Sequence, residues 1–460
     1  MTKYRLNGYF GSVDKTTSKK SSAKEEVSAN FNFLYPDNKH FKYGIDELLK
    51  QLKRLKLKPS ETGLDLLLFA IMVQAADTRL NRLQASQDAW CREIIINMPV
   101  SDLTSWNAAR ANLENMLRFL TGDRWQVQFR ERPGKFKQIF DNTLFPAKSP
   151  YKNLNLFSGG LDSLIGAIDN MESGETPLFI SHAGDASVSG PQKKVFDQLV
   201  KSYQSMSKIE RVRLPSGVFP KKLFGAITPE ASTRGRSFLF FALGCFVGTA
   251  FKHPFTLCVP ENGLIALNIP LDANRLGASS TRTTHPYYMH RWNELLSNLK
   301  IEGTVQNPYW NKTKGEMIEE CINQSVLGAL IKDSVSCAHP SWVRRWKAVK
   351  KSHCGTCVPC LIRRSAINHA WGKDKDPTGY LISDLEKKVL KSDKSEGNQI
   401  RSFQLAIKNL KDNPDRAKII IYKSGPLKED TDKIDEFVQV YSNGMLEVDD
   451  LLKNVRTKPS

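Results

Sequence analysis

Apolar residues along this chain fall into two kinds of pattern, and the change between them comes near residue 150. In the first stretch Ile45, Leu48, Leu49, Leu52 and Leu55 recur at the three- and four-residue steps of a helix, with Lys50, Lys53 and Arg54 off the stripe. A more uniformly apolar helix is expected over 64–83. EIIINMPV (93–100) reads as a strand, 107–120 as an amphipathic helix stopped by Gly122, and RWQVQFRER (124–132) as an alternating strand. These predict an N-terminal α+β unit over 1–150. The small, polar run 14–29 reads as a mobile surface segment.

From 151 to about 372, short apolar segments (154–157, 178–181, 256–259) alternate with helical ones (161–170, 192–203, 237–251). Strands separated by helices pair in parallel, which predicts a doubly wound α/β sheet with ligands beyond the carboxyl ends of its strands. Residues 373–460 read as a mainly helical extension. Ile400, Phe403, Ile407 and Leu410 form one stripe there, EVDDLLKNV a further helix, and the apolar run 418–422 leaves room for a strand.

Composition narrows the class. The chain has 460 residues, 40% hydrophobic and 25% charged, enough to bury a core and too apolar for general disorder. Its longest apolar stretch, 238–248, is shorter than the ~18 residues of a membrane span, and the N-terminus MTKYRLNGYFGS lacks the apolar centre of a signal peptide. The expectation is a cytoplasmic protein with no membrane role. The net charge of +19 lies almost wholly before residue 373. It suits an anionic partner such as a nucleotide, pyrophosphate or RNA, as would a plain solvated basic surface; nucleic acid is permitted, not required.

Among eight cysteines, Cys91, Cys245, Cys258 and Cys321 sit in apolar or helical contexts, as buried thiols do. Cys337, Cys354, Cys357 and Cys360 instead form C-x16-C-x2-C-x2-C, a spacing that lets four thiolates surround one ion. Sulfur ligands favour Zn2+, with an iron–sulfur cluster as the rival, and a closed four-sulfur set is structural. His339 and His353 lie close by as substitute ligands or bystanders.

The densest chemistry is NLNLFSGGLDSLIGAI, 153–168, where a strand runs through Ser158, Gly159, Gly160, Leu161, Asp162 and Ser163 straight into a helix. Two glycines allow a tight turn and close approach of a ligand, and free amides at the helix start with the two hydroxyls make an anion site. A carboxylate beside phosphate calls for a cation between them, so Asp162 is read as a Mg2+ holder.

SGGLDS resembles the pyrophosphate loop of the ATP pyrophosphatases, the PP-loop proteins of HUP-like fold, which cleave ATP between the α and β phosphates. With the SC…C-x2-C-x2-CLIRR run, residues 153–370 resemble the 7-cyano-7-deazaguanine synthase (QueC) family. PENGLIALNIPLDANRLGASSTRTTHP and the N-terminal extension look like the QueC-like proteins of bacterial anti-phage operons, the QatC and CBASS-associated types. The resemblance implies ATP held by Ser158–Ser163, with Arg236 (in TRGRSFLF) and Lys314 (in NKTKGEM) joining Asp162 in catalysis. It places Glu261, Asn262, Arg282, Thr283 and His285 toward the substrate. It implies adenylation of a carboxylate, that of 7-carboxy-7-deazaguanine, with release of AMP and pyrophosphate. Amine attack would then give an amide, a nitrile, or a conjugate with a protein of the same operon docked on residues 1–150. The other readings are a nitrile-forming synthase for queuosine-type nucleosides and a tRNA-modifying PP-loop enzyme.

Overall fold

A computed structural model describes residues 2–14, 26–140, 149–184, 186–204, 209–272, 282–340 and 353–460. Its first sheet has four strands: β1 (Lys3–Tyr9), β2 (Glu26–Asn32), β3 (Glu93–Val100) and β4 (Arg124–Glu131), in the order β2-β1-β3-β4. Every pair in it is parallel, which corrects the α+β expectation for residues 1–150. The cause is connectivity. Helices α1 (Ile45–Arg54), α2 (Glu61–Arg79) and α3 (Arg82–Ala85) separate β2 from β3, and α4 (Leu103–Thr121) separates β3 from β4. Residues 26–29 of the supposed mobile run belong to β2, while 15–25 lie outside the described residues.

The second sheet is also parallel: β5 (Asn153–Leu156), β6 (Leu178–Ala183), β7 (Glu210–Pro215), β8 (Phe255–Cys258) and β9 (Gly303–Gln306). Its order, β7-β6-β5-β8-β9, grows outward in both directions from β5, as in Rossmann-like α/β folds. Helices α5 (Leu161–Glu172), α6 (Ala186–Ser202) and α7 (Arg236–Gly248) follow β5, β6 and β7. Beyond β8 come α8 (Gly263–Leu267) and α9 (Pro286–Asn298), and beyond β9 come α10 (Lys314–Glu319) and α11 (Gln324–Leu330).

α7 joins the two sheets. On one side it lies directly on β8, where a Cβ at Gly244 or Gly248 would stand 2.6 Å from Leu257 or Phe255. On the other side Phe238 meets Phe69 of α2 edge to face, with centroids 5.8 Å apart. One continuous hydrophobic core therefore runs from Tyr4 to Val305. The boundary near residue 150 separates two sheets but not two cores.

The C-terminal part is mainly helical: α12 (Val358–Trp371), α13 (Asn398–Asp412), α14 (Ala417–Ile420) and α15 (Ile434–Leu452). Two short strands, β10 (Leu390–Lys391) and β11 (Thr457–Lys458), pair in parallel. Ile400, Phe403, Ile407 and Leu410 are buried on one face of α13 against Phe437, Val440 and Val448 of α15. Run 418–422 is a pair of helical turns rather than a strand. Among the described residues no helix is long and apolar enough to cross a membrane.

Candidate functional site

β5 ends at Leu156, and the amide of Phe157 donates to Ile180 O (2.8 Å), holding the strand end against β6. The chain then turns through Ser158, Gly159 and Gly160, and Leu161, buried, opens α5. Gly159 has φ +80°, and a Cβ there would stand 2.8 Å from Gln192 Cα, so both conformation and space demand glycine. Ser163 Oγ accepts from Gly159 N (3.1 Å) and donates to Gly160 O (3.0 Å), while Ser158 Oγ accepts from Gly160 N (3.2 Å). No side chain of the N-cap residue, Gly160, caps α5, and uncapped helix-start amides of this kind are able to meet an anion.

The loops after β5 and β8 meet at the point where strand order reverses. Asp162 Oδ1 pairs with Lys314 Nζ at 2.5 Å, and its Oδ2 accepts from the Asn262 side chain (2.8 Å) and backbone amide (3.2 Å). Asn262 also caps α8 through Ile265 N. Thus Asp162, expected to hold Mg2+, is already satisfied by a lysine and an asparagine. Beside it Glu261 Oε2 accepts from Thr284 Oγ1. Burial and the Asp162 charge push the Glu261 carboxyl up to about 7, against the Thr284 hydrogen bond and Lys314.

A cavity of about 370 Å3 opens beyond these strand ends, lined on its polar side by Ser158, Ser163, His182, Arg236, Glu261 and Thr283. The Arg236 guanidinium lies over the Phe240 ring, 5.0 Å from its centroid. Burial, reinforced by Arg236 and Arg213, pushes His182 down to about 4, so it is neutral at pH 7. The turn leading into Arg236 is gripped from the first sheet's helices. Gly235 N donates to Asp77 Oδ2 (2.7 Å), and Asp77, fully buried, is paired with Arg92 at 2.8 Å. Arg234 donates to Thr121 O (3.0 Å) and stacks over Trp90 at 4.4 Å.

Two residues expected at the substrate are elsewhere. Arg282 stacks on Phe119 (4.8 Å) and donates to its carbonyl (2.8 Å). His285 is fully buried, caps α9 by accepting from Tyr287 N (3.2 Å), and packs on the same ring. Neither lines the cavity; both tie the loop before α9 to α4. Among the described residues of the loop before α9, Thr283 reaches the cavity wall.

The four cysteines converge. Sγ of Cys337 and Cys357 are 3.9 Å apart and those of Cys354 and Cys360 are 3.8 Å apart; all four atoms lie within 4.8 Å of one another. A tetrahedron of sulfurs ~2.3 Å from an ion has edges of about 3.8 Å, so the set fits Zn2+. Among the described residues it is the one cluster of this kind. The amides of Cys354 and His339 point at Cys337 Sγ (both 3.4 Å) and that of Cys357 at Cys354 Sγ (3.3 Å), as suits thiolates. His353 Nε2 instead accepts from Ser336 N, outside the sulfur set. Gly355 (φ +94°) leaves room for Ile382 O, to which Arg364 donates at 3.0 Å.

This centre is mechanically connected to the glycine loop. Arg363 on α12, fully buried, donates to Ser334 Oγ (2.9 Å), Ser336 Oγ (3.3 Å) and Ile331 O (2.6 Å). Between those serines, Val335 N donates to Gly159 O at 2.9 Å. Sequence reasoning missed Asp77 and Arg363 as supports of the site. Only the Thr313–Glu316 capping box under Lys314 had a local signature, in TKGE.

No protein-family model matches the chain, and no curated protein matches it. Fold and site together define a mixed α/β protein with parallel sheets, a glycine-containing strand-to-helix loop at the switch point, and a four-cysteine cluster that could hold zinc.

Proposed function

We propose that the protein is an ATP-dependent, AMP-forming enzyme of the PP-loop type that adenylates a carboxylate. The observation that carries this reading is the Ser158–Ser163 loop at the switch point, with Arg236 on the same cavity wall and Lys314 paired to the loop's own Asp162. A loop offering amides and hydroxyls, with Arg236 on the cavity wall and Lys314 held on Asp162, suits a polyphosphate and the charge that develops as pyrophosphate departs. The substrate implied by the resemblance, 7-carboxy-7-deazaguanine, is a flat heterocycle, and Phe240 and Phe241 give the cavity an aromatic wall.

In this reading the carboxylate oxygen bonds to the α-phosphorus of ATP while the bond from that phosphorus to the bridging oxygen breaks. Pyrophosphate leaves with the electron pair, and Lys314, Arg236 and the α5 amides neutralise it. Positioning supplies much of the rate. An amine then forms the C–N bond and expels AMP. Asp162 pairs with Lys314, and no step is assigned to Mg2+. Zn2+ at the four cysteines would supply folding energy in a closed donor set, one member of which, Cys337, reaches the cavity wall.

The test is product identity. With ATP and the carboxylate, chromatography should find AMP and pyrophosphate in equal amounts, with product dependent on both substrates. ADP and phosphate would mean that the loop handles the γ-phosphate and that the reading is wrong.

A further inference from the structure

The C-terminal extension contributes no residue to the cavity wall, yet one of its helices reaches the turn that carries Lys314. Asn443 and Glu447 stand four residues apart on α15 and so share a face. Below them Thr313 caps α10 and closes a reciprocal box with Glu316, leaving Lys314 as the first helical residue. Both members of that box are bound a second time from α15. Thr313 Oγ1 donates to Glu447 Oε1, and Asn443 Nδ2 donates to Glu316 Oε1 at 3.1 Å. Gly315 fits between them, where a Cβ would meet Glu447 Oε1 at 2.5 Å and His369 Cδ2 of α12 at 2.7 Å. Glu447 is 5% exposed and Lys314 6%.

We infer that Glu447 and Asn443 are positioning residues for Lys314, which makes the C-terminal extension a working part of the phosphate site. The inference rests on the reading of Lys314 as a phosphate-binding cation. A buried carboxyl is costly unless its hydrogen bonds are made, and an apolar residue would serve packing better. Glu447 makes its bonds to the one turn that aims Lys314 at Asp162. A lysine has a long flexible stem, and the backbone at its root is the part a distant helix can fix.

The experiment uses the full-length protein and two probes: calorimetric binding of inorganic pyrophosphate, and acylation of Lys314 by an N-hydroxysuccinimide ester, read by mass spectrometry. Lys314→Ala and Glu447→Ala should each weaken pyrophosphate binding by about tenfold. The double variant should be no weaker than Lys314→Ala, because the two residues act through one group. Glu447→Gln still accepts from Thr313 and should stay within about threefold of wild type. Lys314 should acylate slowly in wild type and Glu447→Gln, and about fivefold or more faster in Glu447→Ala, once its ion pair with Asp162 loosens.

Additive losses, or unchanged pyrophosphate affinity in Glu447→Ala beside a weakened Lys314→Ala, would overturn the proposal. So would unchanged acylation, whatever happens to the melting temperature. If wild type binds no pyrophosphate, the phosphate-site reading fails, and acylation still decides whether α15 places Lys314. Should Glu447→Ala be insoluble, Asn443→Ala and Gly315→Ala carry the same expectations at smaller size.

Discussion

The Ser158–Ser163 loop and the two cations assigned to it, Arg236 on the cavity wall and Lys314 on Asp162, are held in place by opposite means. The loop shapes itself: two hydroxyls and two glycine amides bond one another inside six residues, with Val335 and Gln192 as outside clamps. Lys314 and Arg236 depend on partners far along the chain. Glu447 lies 134 residues from the Thr313 it holds, and Asp77 lies 158 from Gly235. In the proposed function a local loop would be the generic anion cradle, whereas the charge that would make it selective is held by the two flanking parts of the protein. Neither flank can then be removed as a separate module.

That contrast can be broken most directly by truncation, where the largest effect is expected. Expressed alone, residues 151–460 should aggregate, because α7 would expose the face that now covers α2. A soluble, cooperatively melting fragment seen by size-exclusion chromatography and calorimetry would show that the shared core is dispensable. Loss of the metal comes next. Cys357→Ser should reduce both zinc content, from about one per chain, and soluble yield, since zinc binding of ~10–16 kcal/mol is folding energy. Full zinc occupancy with unchanged melting would remove the centre from this account.

Within the loop, Ser163→Ala deletes a hydroxyl that bonds Gly159 N and Gly160 O, while the fold around it stays intact. Pyrophosphate should bind about tenfold more weakly in that variant, the cost of one well-placed hydroxyl; undiminished affinity would mean the loop is shaped by its glycines alone. The smallest effect concerns pH. Burial, with Glu316 adding to it, pushes Glu447 up to about 7. Its folded pKa is then above its unfolded one, so the folded state binds the extra proton and wild-type stability falls as pH rises from about 4.5 to 7. Glu447→Gln lacks this loss. Its melting temperature should gain about 2 °C on wild type across that window in differential scanning fluorimetry, with no drift below it.

The same contrast explains what could be read in advance. C-x16-C-x2-C-x2-C signals its convergence by spacing, and the tight strand-to-helix turn at SGGLDS is legible from its glycines. The stripe of α13 is periodic and indeed buried. β1 and β2 went unseen because KYRLNGY and EVSANFN mix polar and apolar residues. Asn7 is buried and accepts from Asn97 on the neighbouring strand at 3.3 Å, a position that pattern alone would call exposed. β9 is too short to signal. Run 418–422 is apolar but bounded by Pro414 and Gly425, and it coils into turns that leave Ile419 72% exposed. Arg282 and His285 are placed toward the substrate only by the resemblance of their stretch to QueC-like proteins, and Phe119, from another part of the chain, packs against both. Asp77 and Glu447 are single carboxylates in helices, and only the folded molecule shows what they hold.

The central claim is that the loop binds the pyrophosphate released when a carboxylate is adenylated. Adenylation is reversible while pyrophosphate remains bound nearby, so the direct test is carboxylate-dependent exchange of labelled pyrophosphate into ATP. The account predicts that wild-type protein with 7-carboxy-7-deazaguanine returns label to ATP. Asp162→Asn, near-isosteric but without the charge that holds Lys314, should lower this exchange by about a hundredfold or more with the fold unchanged by circular dichroism. Label that never enters ATP, from a protein that turns ATP into ADP and phosphate, would contradict it.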